Sequence, residues 1–230
     1  MEVTAVAADS VVVLYGSQAR GESDSMSDTD LLFICESGQE STESVQLRLA
    51  GYSDMKASQY FWAEIESMGM AGSLFLHHLR QEGVLLRGEA CGESRYVRTL
   101  DELGAYVNVR SDVRSFVVSL DDVEQSLLES DPSLYFEAAA IATVVRHGSI
   151  LGCYLVGLPE FGRYTAVAKF AEATGLASFV SSDFVQLYDY RLAQDGRVDW
   201  PPEPTREVLI GWLGLARQVV AKVQEFANAR

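Results

Sequence analysis

"LYGSQARGESDSMSDTDLLFI", residues 14–34, decides how the first half of this chain folds. It opens on the end of "SVVVLYG", a short β-branched run halted by Gly16, which has the length and composition of a buried strand. A polar turn follows, and "TDLLFICE" reads as a second strand. Side chains on a strand alternate, so Asp28 and Asp30 point to one face, their Cα atoms about 6.6 Å apart. Two carboxylates beside an apolar strand are costly unless a cation sits with them. Mg²⁺ suits such a pair, since it prefers oxygen ligands and completes its shell with water and phosphate. Gly16 lets backbone approach a ligand, while free N–H groups and the Ser17 hydroxyl can hold phosphate oxygens. Arg20 adds positive charge on the same turn.

Rival readings of the stretch fail on single residues. "GSQARGES" has the glycine spacing of a P-loop, but Glu22 stands where a lysine must meet the phosphates. "DSMSDTDL" lacks the glycine of an EF-hand loop and runs into a strand. An isolated D-x-D commonly just solvates a loop–strand junction. Here it is accompanied by a strand and a Gly-Ser turn at a suitable distance.

The chain has 230 residues with a formal net charge of −15, and 48% of them are hydrophobic. That is room for one large domain or two small ones. The negative charge disfavours long nucleic-acid duplexes and anionic membranes as partners. Cys35, Cys91 and Cys153 lie far apart and fit neither a disulfide framework nor a zinc site, which points to free thiols in a reducing cytoplasm. The opening residues lack the basic region of a signal peptide, and no apolar run is expected to span a membrane.

Two textures divide the chain, with expected domains at 1–95 and 96–230. In the first, "SVQLRLAGYS" reads as a third strand, with "MKASQYFWAEIESM" and "GSLFLHHLRQEGVLL" at helical spacing. In the second, Thr99 and Glu102 stand in capping-box register ahead of a long helix to Leu128. Asp131-Pro132 opens another helix. Further helices end at Gly175 and Gly196, and the last follows Pro201, Pro202 and Pro204. The expected fold class is α+β: an N-terminal mixed sheet with flanking helices, then a C-terminal α-helical bundle.

Gly16-Ser17, ten intervening residues and Asp28-Thr29-Asp30 between apolar strands together resemble the signature of the DNA polymerase β-like nucleotidyltransferase superfamily. "YGSQARGES" and "SDTDLL" are most similar to its minimal and kanamycin nucleotidyltransferase-like branch. The resemblance covers roughly residues 10–90. It implies a nucleotidyltransferase-type sheet and metal-assisted transfer of an NMP group from an NTP, ATP first among them, with pyrophosphate leaving. Mg²⁺ or Mn²⁺ would be held by Asp28 and Asp30, and the phosphates by Gly16, Ser17 and Arg20. A small molecule or a protein would be the acceptor. The family also carries a third carboxylate on the next strand. "SVQLRLAGYSD" offers none in its interior, and Glu43 and Asp54 flank it. The alternative is therefore a catalytically degenerate module that binds nucleotide or protein, a toxin–antitoxin component among them.

Outside that stretch, consecutive His77 and His78 suit a structural helix better than a site. Tyr188, Tyr190 and Arg191 suit a packed helix face. Asp121, Asp122 and Glu124 suit a solvated one.

Overall fold

The computed structural model describes residues 9–22, 29–37, 55–88, 90–176 and 181–229. The chain divides into two compact units, Met1–Val107 and Asn108–Arg230. The expected border at residue 95 falls inside a helix of the first.

Unit one is α+β. Its described strands are β1 (Val11–Tyr15), β2 (Thr29–Cys35), β3 (Met55–Phe61) and β4 (Val84–Gly88), in the order β3-β2-β1-β4. β1 runs antiparallel to β2 and to β4, while β2 and β3 are parallel, so the sheet is mixed. Between the strands lie α1 (Ser17–Arg20), α2 (Trp62–Met70) and α3 (Leu74–Glu82), and α4 (Ala90–Asp101) follows β4. The period of two along β1 and β2 sorts their side chains into two layers. Val11, Val13, Leu32 and Ile34 pack with Trp62 and Ile65 of α2, Leu76 and Leu79 of α3, and Tyr96 and Leu100 of α4. Val12, Leu31, Phe33 and Cys35 face the other way, with Leu14, Phe61 and Leu86. A strand buried on both faces reads as a continuous apolar run, which is why "LLFIC" is unbroken.

Three expectations for this half are corrected. "MKASQYF" is a strand, not the start of a helix. It pairs with β2 along its whole length, from Thr29 opposite Met55 to Cys35 opposite Phe61. Pairing the second edge of β2 outweighs a weak local helical spacing. The helix begins only at Trp62, where the Glu64 carboxylate accepts the Phe61 N–H at 2.7 Å. After Gly83 the chain does not continue as helix either, because "VLLRG" becomes β4 on the free edge of β1. Finally, Thr99 caps no long helix. It lies within α4, its hydroxyl donating to the Arg95 carbonyl at 2.9 Å. The chain then breaks at 103–107 and folds back on α2, the Val107 N–H donating to the Ala71 carbonyl at 3.1 Å. The expected strand "SVQLRLAGYS", with Glu43, and the flanking Asp54 lie outside the described residues.

Unit two is helical: α5 (Val109–Ser126), α6 (Leu134–Leu155), α7 (Thr165–Thr174), α8 (Ser181–Gln194) and α9 (Arg206–Asn228). α6 begins at Leu134 behind Ser133, two residues later than Asp131-Pro132 suggests. It is long and apolar enough to cross a membrane, but 67% of its most apolar stretch is buried within the protein. Ala138, Ile141, Ala142 and Val145 put it at the centre of a core shared with Leu120 of α5, Leu187 of α8 and Leu213 of α9. Gly175 closes α7 at a φ of 70°, a left-handed turn that glycine tolerates best. Arg217 of α9 bridges Asp121 at 2.9 Å and Glu124 at 2.7 Å, so the acidic face of α5 is partly paired. Tyr188 and Tyr190 are buried, and the Tyr190 hydroxyl donates to the Pro202 carbonyl at 2.7 Å.

Candidate functional site

The site is built where β1 gives way to α1. Tyr15 is the last residue of the strand, and Gly16 turns the chain at a φ of 76°. Antiparallel pairing sets Tyr15 directly opposite Asp30. The two lie on the face of Val13 and Leu32, the layer covered by α2, α3 and α4. Gly16 therefore meets Asp30 from the side: a Cβ on Gly16 would stand 2.5 Å from Asp30 Oδ2, well inside van der Waals contact. Only a residue without a side chain fits there. β2 thus delivers a half-buried carboxylate against the backbone of the turn that follows β1.

Ser17 begins the turn. The Arg20 N–H donates to the Gly16 carbonyl at 3.2 Å, that of Gly21 to Gln18 at 3.2 Å and that of Glu22 to Ser17 at 2.9 Å. Gly21, at a φ of 69°, closes it. These bonds leave out the N–H groups of Ser17, Gln18 and Ala19, the ones a helical turn directs outward at its start.

Arg20 turns to carboxylates. Its Nη1 donates to both oxygens of Glu82 on α3, at 2.7 and 2.8 Å, and its Nε donates to Glu22 at 2.7 Å. Burial opposes the charge on Arg20, but these two carboxylates outweigh it and hold its pKa above the ordinary value. Glu82 is nearly enclosed, with 6% of its side chain exposed, and it is also bonded by His78 one turn earlier on α3. So Arg20 stitches the turn to α3.

Around this stitch stands a ring cluster. Tyr15 meets Phe75 edge-on at 5.5 Å and His78 at 5.9 Å, and Tyr60 lies 5.9 Å from Phe75. Burial raises the pKa of the Tyr15 phenol, a hydrogen bond with Ser58 on β3 lowers it, and the charge of Asp30 raises it again. Tyr15, Asp30 and Ser58 therefore converge from three adjacent strands.

Of the residues singled out from sequence, Gly16, Ser17 and Asp30 come together at this strand end. Arg20 belongs to the same turn, engaged with Glu82 and Glu22. Asp28 lies outside the described residues. Among the described residues no three His, Cys, Asp or Glu side chains gather as a metal cluster. The sequence reading passed over Tyr15, Ser58 and Glu82, and took His78 as a structural helix residue. One signal was present: His78 and Glu82 are four apart on a helix, a spacing that lets an acid and a base meet. His77, its neighbour, is structural as expected. It is buried, with Nε2 3.2 Å from the Gly104 carbonyl and Nδ1 3.0 Å from Arg80.

Neither a protein-family model nor a curated protein sequence matches the chain.

Proposed function

We propose that this chain is a nucleotidyltransferase of polymerase β-like type, moving the NMP group of an NTP, ATP first among them, to an acceptor with release of pyrophosphate. The observation that carries this reading is the contact of Gly16 with Asp30. A carboxylate lies against a side-chain-free backbone turn whose first N–H groups lie outside the turn's own hydrogen bonds. A turn without side chains beside an acid suits a triphosphate carried by a divalent ion. The fit of the residues to Mg²⁺ or Mn²⁺ is favourable, since Asp30 offers hard oxygens and Gly16 keeps the space next to them clear. Asp30 and Asp28 would hold the ion, which when bound neutralises triphosphate charge and activates the attacking group.

The chain's own residues have separate tasks on this reading. The Ser17 hydroxyl and the amides beside it bind phosphate oxygens. Arg20, held by Glu82, braces the turn from behind so that those donors stay aimed. Tyr15 and Ser58 limit the freedom of the Asp30 side. The acidic surface favours a small cationic molecule or a protein as acceptor over a nucleic acid.

A second reading rests on β3. Met55–Phe61 runs beside β2 without a single carboxylate, so the described sheet offers no third acid. A module that holds nucleotide or a protein partner without turnover, as in a toxin–antitoxin pair, would need none. The two readings part in one experiment. The protein is incubated with each labelled NTP and Mg²⁺ or Mn²⁺, alone and with pools of small-molecule and protein acceptors. Pyrophosphate release with a labelled product supports transfer. Nucleotide binding without release supports the module, and the absence of both removes the nucleotide from the account.

A further inference from the structure

One end of the helical unit carries apolar side chains that its other described residues leave exposed. Leu128, just past α5, is 74% exposed, Phe136 in the first turns of α6 is 56% exposed, and Trp200 before α9 is 50% exposed. Local contacts hold these positions together. The Ser126 hydroxyl donates to Glu137 at 2.6 Å, tying the end of α5 to the start of α6. The Trp200 ring meets Tyr135 edge-on at 5.0 Å. Arg206, opening α9, donates to the Glu129 carbonyl at 3.1 Å. Single exposed apolar residues are ordinary, but a leucine, a phenylalanine and a tryptophan brought to one end mark an interaction surface.

The rim of that surface is acidic. Glu129, Asp131, Asp199, Glu203 and Glu207 are all exposed beside it. None of the five forms an ion pair with a described residue. Arg206, next to Glu207, donates to the Glu129 carbonyl and also lends its charge to the Glu207 carboxylate. An apolar centre beside five exposed carboxylates is complementary to a segment with apolar anchors flanked by lysine or arginine.

We propose that the end of the helical unit formed by Leu128, Phe136 and Trp200 docks a basic amphipathic segment of another protein. The apolar residues supply the anchoring contact, and the five carboxylates select positive charge and speed encounter. The proposal stands independently of any nucleotide chemistry in the first unit.

The test is a selection of displayed random sixteen-residue peptides on the purified full chain, followed by anisotropy of the enriched peptides. The expected result is a consensus of leucine, phenylalanine or tryptophan at helical spacing among lysines and arginines. Affinity should fall about tenfold or more in the Leu128→Ser, Phe136→Ser double variant. It should also fall, with a shallower salt dependence, in Glu129→Lys, Asp131→Lys. These positions are exposed, and circular dichroism melts check that the variants fold. An acidic or purely polar consensus, binding indifferent to both variants, or no enrichment would overturn the proposal. So would sedimentation showing that the wild type self-associates through these residues, which would make a second copy the occupant.

Discussion

Gly16 and Asp30 exclude any side chain from the space between them, because a methyl group at position 16 would lie 2.5 Å from Asp30 Oδ2. Gly16→Ala therefore carries two costs. The backbone at Gly16, with a φ of 76° and a ψ of −156°, lies in a region essentially confined to glycine and alone disfavours alanine by about 1–3 kcal/mol, and the clash adds to it. In an Asp30→Ala background only the first cost should remain. Amide exchange in β1 and β2 reads the cycle: equal losses in both backgrounds would mean that the carboxylate does not press on the turn.

The pair of Arg20 and Glu82 gives a second expectation. Breaking a buried pair from one side leaves an uncompensated charge, typically about 3–5 kcal/mol. Arg20 retains 18% of its side-chain exposure and, without Glu82, keeps its bond to Glu22, so its charge is only partly uncompensated and the cost falls at the lower end of that range or beneath it. Glu82→Ala should lower the melting temperature more than Arg20→Met, Glu82→Leu does, since the double variant leaves no orphan. Equal loss in the two would mean that the pair does not hold α3 to the turn.

His77 sets a pH dependence. Arg80 can only donate, so Nδ1 accepts from it and Nε2–H donates to the Gly104 carbonyl, a neutral imidazole. Burial and the Arg80 charge push its pKa below the ordinary value, against a raising effect of the Gly104 bond. The unfolded chain takes a proton near about pH 6.5, whereas folded His77 takes one only at lower pH. Its contribution is thus complete above that value and is lost as pH falls through the folded pKa. His77→Gln, which can also donate and accept, should show a smaller drop in urea midpoint from pH 7.5 to 5 than the wild type. Parallel pH curves would acquit His77.

Nucleotide binding should follow the turn and the carboxylate together. On the proposed reading, Mg²⁺ with ATP at a hundredfold excess over Kd stabilises the folded chain by about 2.7 kcal/mol. Ser17→Asp sets negative charge against the triphosphate and should abolish that gain. Asp30→Asn should lose most of it while melting no lower than the wild type without metal. Full protection by Mg²⁺-ATP in both variants would place any nucleotide elsewhere.

The strands β1 and β2 were legible because β-branched and aliphatic runs ending at Gly16 and Cys35 leave little choice of structure. Gly16 and Asp30 were legible for the same reason, since a strand fixes which way its residues face. β3 was not, because "MKASQYF" alternates weakly and becomes a strand only through the open edge of β2. β4 was hidden behind Gly83, where a helix end and a strand start share one residue. The engagement of Arg20 was invisible for a different reason. Its partner is 62 positions away, and only the packing of α3 on the sheet brings the two together.

The backfolded segment at 103–107 decides where the first unit could be cut free as a stand-alone fragment. Leu100 and Leu103 belong to its core, the Gly104 carbonyl accepts from His77, and Val107 is bonded to Ala71. At Gly72 the chain passes so near Ala105 that a Cβ would lie 2.3 Å from its carbonyl oxygen. A fragment ending at residue 95 discards all of these along with Tyr96, another member of that core, and leaves Arg95, which lies over the Trp62 ring at 4.7 Å, as its fraying last residue. One ending at Val107 keeps its own clasp. Expressed side by side, the longer fragment should be the one that stays in solution and resists protease.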